Sequence, residues 1–244
     1  MFVIDNKTND DLGLILLNTS EIDLIPEIDA RVVNIPGRPG VYDFGAELSY
    51  RVFRLSLALN EIQDLEDLEN QISYIAEQLT DQDGRPRTVL FYFTTDSTKR
   101  YQVRIYNKAE IERDAFNGRF TLTLVAVNPF AEGTTQTVAV PATVSVDGNI
   151  RTAPTFTVTF NNNASTMQIT LGGDYVKVDH DFVNGDELVI NCETQSVMLN
   201  GYRYLYKLDW QNSTFFKLNP GSNTITASST GVASISMAYK PRWI

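Results

Sequence analysis

Three stretches of this 244-residue chain alternate apolar and polar side chains with a period of two, and that period fits a half-buried strand far better than a helix. In RVFRLSLAL, Phe53, Leu55, Leu57 and Leu59 alternate with Arg54, Ser56 and Ala58. RYQVRIY sets Tyr101, Val103 and Ile105 against Arg100, Gln102 and Arg104, and RFTLTLVAV sets Phe120, Leu122 and Leu124 against Arg119, Thr121 and Thr123. Each strand puts one face on a core and the other in water, as antiparallel sheets do. Between the first two, Ile62, Leu65, Leu68, Ile72, Ile75 and Leu79 recur every three or four residues. That spacing predicts one amphipathic helix over about residues 60–80, opened by a capping box of Asn60 and Gln63 and covering one sheet. Asp83, Gly84 and Pro86 end it and turn the chain into the strand TVLFYF.

From Asn128 to Pro154 the chain is rich in Thr, Pro and Gly without a strong core pattern, which places a domain boundary near its start. The division expected is residues 1–132, a β domain with one helix, and residues 133–244, a second β domain. Beyond the boundary short strands follow one another: TFTVTF, MQITL before Gly172 and Gly173, YVKV, ELVINC, and SVMLN running into Asn200-Gly201. An Asn-Gly pair between alternating runs signals a tight hairpin in which both residues take positive φ. The spacing predicts a β-sandwich, so the fold class is mainly β, two sandwich-like domains with a single helix in the first.

The opening MFVIDNKTNDDLGLILL lacks a basic leader and is interrupted by Asp5, Lys7, Asp10 and Asp11, so no secretory signal, membrane anchor or membrane partner is expected, and folding is expected in a cytoplasm. The formal charge is -10, and it is unevenly placed: residues 1–130 hold 13 Lys/Arg against 21 Asp/Glu, a net -8, and residues 131–244 hold 7 against 9, a net -2. That balance argues against a surface built to hold nucleic acid.

Catalytic chemistry finds little to work with. The single histidine, His180, lies in the polar run Asp179-His180-Asp181, no Gly-x-Ser-x-Gly elbow is present, and an exposed loop or strand-end role is expected of it. The single cysteine, Cys192, shares the apolar side of ELVINC with Leu188 and Ile190, the position of a buried core thiol. Asp81-Gln82-Asp83-Gly84 resembles the start of a calcium loop, but the third acidic ligand and closing Glu are missing, which leaves a turn. There is no phosphate loop or dinucleotide fingerprint, and the sequons at Asn6, Asn18, Asn163 and Asn212 mean nothing without export. No enzyme activity, metal or cofactor is expected. The aromatic clusters Tyr202, Tyr204, Tyr206 and Phe215, Phe216 could form a sugar-stacking platform, but the three tyrosines share one face of a strand, so half-buried sheet packing is what is expected of them.

Two segments carry more than composition explains. In IPGRPGVYDFG, from Ile35 to Gly45, two prolines and three glycines shape a loop or arm, and Pro36, Gly37, Arg38, Pro39, Gly40, Tyr42 and Phe44 are its candidate contact residues. The other is the C-terminus, FFKLNPGSNTI from Phe215 to Ile225 and then SMAYKPRWI from Ser236 to Ile244, whose apolar ending predicts a docked last strand.

In order and spacing these segments resemble the distal tail protein family of siphophages and related prophages. The likeness runs through a Gly-Arg-x-Gly loop before a long amphipathic strand, a helix, a strand ending in Asn128-Pro129-Phe130, a Leu-x-Pro-Gly-x-Asn-x-Ile turn and a Tyr-Lys-Pro-Arg-Trp tail; Pro39 stands where many relatives carry an acid. The resemblance implies a structural virion protein at the tail tip, assembled in the host cytoplasm. It implies an N-terminal domain that forms a homo-oligomeric, hexameric ring, single or back to back, and a galectin-like C-terminal sandwich outside it. The partners implied are the tail tube protein, a tail-associated lysin or tip protein, and receptor-binding or baseplate proteins, with DNA passing through unbound. In such a ring the segment around Arg38 and Tyr42 would lie on the neighbouring subunit, and the acidic first domain would offer a lumen that repels the genome. The alternative function is a carbohydrate-binding module acting through the C-terminal domain.

Overall fold

A computed structural model describes every residue except 60, 61, 108, 110, 115 and 116. It is mainly β, with one α-helix, and divides into two compact units: Met1–Ala131 together with Ile244, and Glu132–Trp243. No helix among the described residues is long and apolar enough to cross a membrane.

In the first unit the strands are β1 (Phe2–Ile4), β2 (Lys7–Thr8), β3 (Leu14–Leu16), β4 (Glu21–Ile22), β5 (Ile28–Asn34), β6 (Val41–Leu48), β7 (Arg51–Leu59), β8 (Val89–Phe93), β9 (Tyr101–Ile105), β10 (Ile111–Asp114) and β11 (Asn117–Ala126). Nine of them join one sheet in the order β2-β1-β8-β9-β11-β7-β3, with β4 also on β7 and β10 on β11. The alternation seen in the sequence sets the register: Phe120 opposes Leu57, Leu122 opposes Leu55 and Leu124 opposes Phe53, all buried. Phe53 sits against Phe91 and Tyr101 with ring centroids 5.0 and 4.9 Å apart, at the centre of the core.

The helix α1 spans Leu65–Leu79, shorter at its start than the apolar spacing predicts. The Asp64 carboxylate accepts the Asp67 amide at 2.8 Å, and Asp67 in return accepts the Gln63 amide at 3.2 Å. The first bond satisfies an orphan N–H of the opening turn, the second fixes the residue before the cap, and together they start the helix there. Ile62 precedes it, Leu65 points to solvent, and Leu68, Ile75 and Leu79 form the buried stripe. The expected cap at Asn60 lies outside the described residues. After the helix, one Asp81 side-chain oxygen accepts the Asp83 and Arg85 amides at 2.9 and 2.8 Å, so this acid shapes a turn closed by Gly84 at φ +74°.

The second unit is a two-sheet sandwich. Its strands are β12 (Ala131–Glu132), β13 (Gln136–Val140), β14 (Ala142–Val146), β15 (Thr155–Phe160), β16 (Ala164–Leu171), β17 (Asp174–Phe182), β18 (Glu187–Asn191), β19 (Ser196–Leu199), β20 (Tyr202–Arg203), β21 (Gly221–Ala227), β22 (Ala233–Tyr239) and β23 (Arg242–Trp243). A six-stranded sheet, β13-β22-β15-β18-β19-β20, and a four-stranded one, β14-β21-β16-β17, close over a core. Phe156, Val158 and Ile190 come from the first sheet and Met167, Ile169 and Val178 from the second, with Phe160 stacked on Phe182 at 4.1 Å. The turn between β19 and β20 has Asn200 at φ +50° and Gly201 at +80°, the mirror-image turn that the Asn-Gly pair predicts.

Candidate assembly surface

The strands β5 and β6 stand apart from the main sheet of the first unit. Among the described residues they pair only with each other, as a separate two-stranded sheet, and every residue of β5 and all but the last of β6 is exposed. Register places Ile28 opposite Leu48, Ala30 opposite Ala46, and Val32 opposite Asp43. Two residues of β5 span what three of β6 span between the last two pairs, so Phe44 and Gly45 form a bulge. Gly45, at φ +94°, holds its amide 2.8 Å from the Asp43 carboxylate, which closes the bulge locally.

Alternation then sorts the side chains. Ile28, Ala30, Val32 and Asn34 share a face with Val41, Asp43, Ala46 and Leu48, while Asp29, Arg31 and Val33 share the other, more highly charged one with Tyr42 and Glu47. Arg31 and Glu47 pair at 2.6 Å on that polar side. At the tip, Pro36 to Gly40 make the connection, Gly37 and Gly40 adopting φ +82° and +87°, and the Arg38 amide donates to Ile35 O at 3.2 Å. The Arg38 guanidinium lies over the Tyr42 ring at 4.4 Å, and Phe44 is 69% exposed.

The hairpin is held firmly at its root. The Glu27 amide donates to Tyr50 O at 2.9 Å and the Ser49 amide to Glu27 O at 2.7 Å. A hydrogen bond to Glu27, and a second to Tyr106, push the Tyr50 hydroxyl up to about 12. Arg51 is buried at the next position, where it donates to Asp23 O at 3.2 Å and Pro129 O at 3.3 Å. Its Nη2 has no hydrogen-bond partner among the described residues. One guanidinium therefore fastens both ends of the hairpin to the Asn128-Pro129-Phe130 turn, in which the Asn128 side chain accepts the Phe130 amide at 3.2 Å. Composition alone hides this clamp, because an Arg at a strand start reads as solvent-facing.

The C-terminal motifs are structural in the same way. Asn223, 3% exposed, accepts the Asn219 amide at 2.9 Å and donates to Asn219 O at 2.7 Å and Gly221 O at 2.9 Å. Leu218 and Ile225 flank that turn in the core, and Gly221 supplies its φ of +88°. Arg242 reaches Glu132 at 2.9 Å and Glu193 at 2.7 Å. Although half-burial raises the Glu132 carboxyl, the attraction of Arg242 and the Lys240 hydrogen bond outweigh it and hold the group below its ordinary value. A Cβ on Gly148 would meet Arg242 O at 2.2 Å, so only glycine lets the last strand dock.

Residues 7–126 match the phage tail protein RIFT-related domain, and residues 147–243 match the siphovirus-type tail component, C-terminal domain. The chain belongs to the siphophage distal tail protein family. Its relative from Bacillus phage SPP1, a distal tail protein, is 29% identical over 166 residues, which is 65% of this chain and 64% of the relative, so the match spans a little under two thirds of that protein. The crystal structure of the SPP1 protein, described as a paradigm of hub adsorption apparatus in phages that infect Gram-positive bacteria, superposes with a TM-score of 0.80. It covers 100% of this chain and 98% of that one at 18% identity, a likeness of fold.

Within this distal tail fold the remaining candidate residues sort as follows. Cys192 is buried in the core, and burial pushes its thiol up to about 12. His180 lies within β17 rather than in a loop, half-buried, with Nδ1 3.0 Å from the Tyr204 hydroxyl. The expectation that Tyr202, Tyr204 and Tyr206 pack on one strand face is overturned: β20 ends at Arg203, the chain turns into a 3-10 helix over Leu205–Lys207, and Tyr202 and Tyr206 are exposed. No group of three or more His, Cys, Asp or Glu able to hold a metal occurs among the described residues.

Proposed function

We propose that this chain is a structural virion protein, a distal tail protein whose first unit closes into a hexameric ring joining the tail tube to the tail tip and its adhesion proteins. The observation that carries the reading is the β5–β6 arm. A free two-stranded hairpin is marginal in water, and this one presents Ile28, Val32, Val41 and Phe44 to solvent. Its seven-residue β5 and tip reach about 25 Å, against a radius of gyration of about 14 Å for a domain of this size, enough to cross onto a neighbouring copy. Covering these four exposed apolar side chains contributes on the order of 1 kcal/mol each, repeated at every contact of a closed ring.

In this reading Pro36, Gly37, Arg38, Pro39, Gly40, Tyr42 and Phe44 form the contact tip. The galectin-like second unit decorates the ring, and DNA passes an acidic wall without being held. The role is structural and not enzymatic, exercised in the virion after assembly in the host cytoplasm. The partners proposed are the tube protein, a tip protein or lysin, and receptor-binding or baseplate proteins, with rings single or back to back. Native mass spectrometry of the full chain tests the core of it. Wild type is expected as hexamers or their multiples, and Arg38→Ala with Tyr42→Ala, or Val32→Asp with Phe44→Ser, as folded monomers. A wild type that stays monomeric at high concentration refutes the ring, and hexamers unchanged by both double variants refute the arm as its contact.

A further inference from the structure

The second unit displays ring side chains that its own fold does not use. Its exposed large apolar residues, among those described, are Val183, Tyr202, Tyr206 and Trp210, the three aromatics 78%, 67% and 61% exposed and within nine residues of one another. Single exposed apolar residues need no explanation, but three large exposed rings carried by one short segment do.

The segment that carries them is pinned. The Tyr204 amide donates to Val197 O at 2.8 Å, the Asp209 amide to Lys177 O at 2.9 Å and the Thr214 amide to Tyr175 O at 2.8 Å, and Leu208 is buried between β17 and this segment. The chain therefore runs from the edge of one sheet, β20, across to the edge of the other, β17. Tyr204 meets His180 edge-on at 5.0 Å and Tyr206 at a tilt at 4.7 Å, and its hydroxyl lies 3.0 Å from His180 Nδ1, so the Tyr206 ring has a fixed backing. Both Asp209 carboxylate oxygens accept from the Asn212 side-chain Nδ2 at 3.1 Å, which orients that carboxylate. Ordering of rings and polar groups before binding lowers the entropy that binding costs.

The chemistry of the patch favours one kind of ligand. Here Tyr and Trp are interleaved along one short segment with Arg203, Lys207 and Asp209. Flat rings beside charged hydrogen-bonding groups match a molecule with an apolar C–H face and a rim of hydroxyls. We propose that residues 202–210 form a glycan-binding platform, with Tyr206 and Trp210 stacking on a sugar ring and Arg203, Lys207 and Asp209 bonding its hydroxyls. The site lies wholly in the second unit and is independent of ring formation.

Trp210 is one of only two tryptophans, so intrinsic fluorescence of the full chain reads the site. Titration with chitotriose, cellotriose and maltotriose, together with pull-down on bacterial sacculi retaining their wall polysaccharides, supplies the probes. Binding is expected to at least one of them, weakened at least about tenfold by Tyr206→Ala, or by Trp210→Ala read in the pull-down, with circular dichroism and native mass unchanged. Three results overturn the proposal: no binding to any trimer up to about 10 mM and none to sacculi, binding that both variants retain, or protection of residues 202–210 from hydrogen exchange on self-assembly, which would make the patch a protein contact. None of these outcomes bears on whether rings form.

Discussion

Replacing Asn223 by Ala removes the one side chain that satisfies three backbone groups of the Leu218–Ile225 turn. Asn223 is 3% exposed, so water does not replace it freely, and the Asn219 amide and the Asn219 and Gly221 carbonyls lose their bonds together. At roughly 0.5–1.5 kcal/mol net per hydrogen bond, the loss is about 2–4 kcal/mol. Both tryptophans, Trp210 and Trp243, belong to the second unit, so urea unfolding followed by tryptophan fluorescence isolates it. With a slope of about 1.5–2 kcal/mol/M for a unit of this size, a 3 kcal/mol loss lowers the midpoint by about 1.5–2 M. Asn223→Asp sharpens the test. The introduced carboxyl can still accept from the Asn219 amide, but its charged form would face two carbonyls, so its folded pKa rises above the unfolded value. Its stability is then greatest at low pH and is lost as pH rises through that folded pKa, the reverse of an ordinary surface carboxylate. A midpoint shift below about 0.5 M for Asn223→Ala, or stability of Asn223→Asp that does not fall between pH 4 and 7, would show that the amide does not hold the turn.

Two further expectations rest on the same unit. Because the folded Glu132 carboxyl lies below its unfolded value, the stability it contributes is present above that unfolded value and is lost as pH falls through the folded one; Arg242→Met should flatten this acid limb of the unfolding curve, and an unchanged limb would assign it to other carboxylates. Burial holds the Cys192 thiol at about 12, so a thiol reagent at pH 8 should leave the native protein unlabelled and react once on unfolding, whereas rapid labelling of folded protein would contradict the core placement.

Local pattern decided much of this protein. Period-two alternation determined β7, β9 and β11 and the face each turns inward, because a one-residue slip would expose Phe53, Leu55 and Leu57 together. The Asn200-Gly201 pair determined its turn, because few other pairs tolerate positive φ at both positions. The family motifs were legible because glycines at forced φ, a triply bonded asparagine and the doubly paired Arg242 leave little freedom at fixed spacings. Tertiary structure alone decided the rest. Ile28, Ala30 and Val32 have the pattern of a core strand, and only the absence of any layer over them makes an arm. Arg51 became a buried clamp because carbonyls from Asp23 and Pro129, distant in sequence, converge on it. Tyr202 and Tyr206 left the strand face expected of them because the chain must cross from one sheet edge to the other after Arg203. Periodicity reports which side chains share a face, whereas burial depends on what the rest of the chain brings against that face, and no local stretch of residues contains that information.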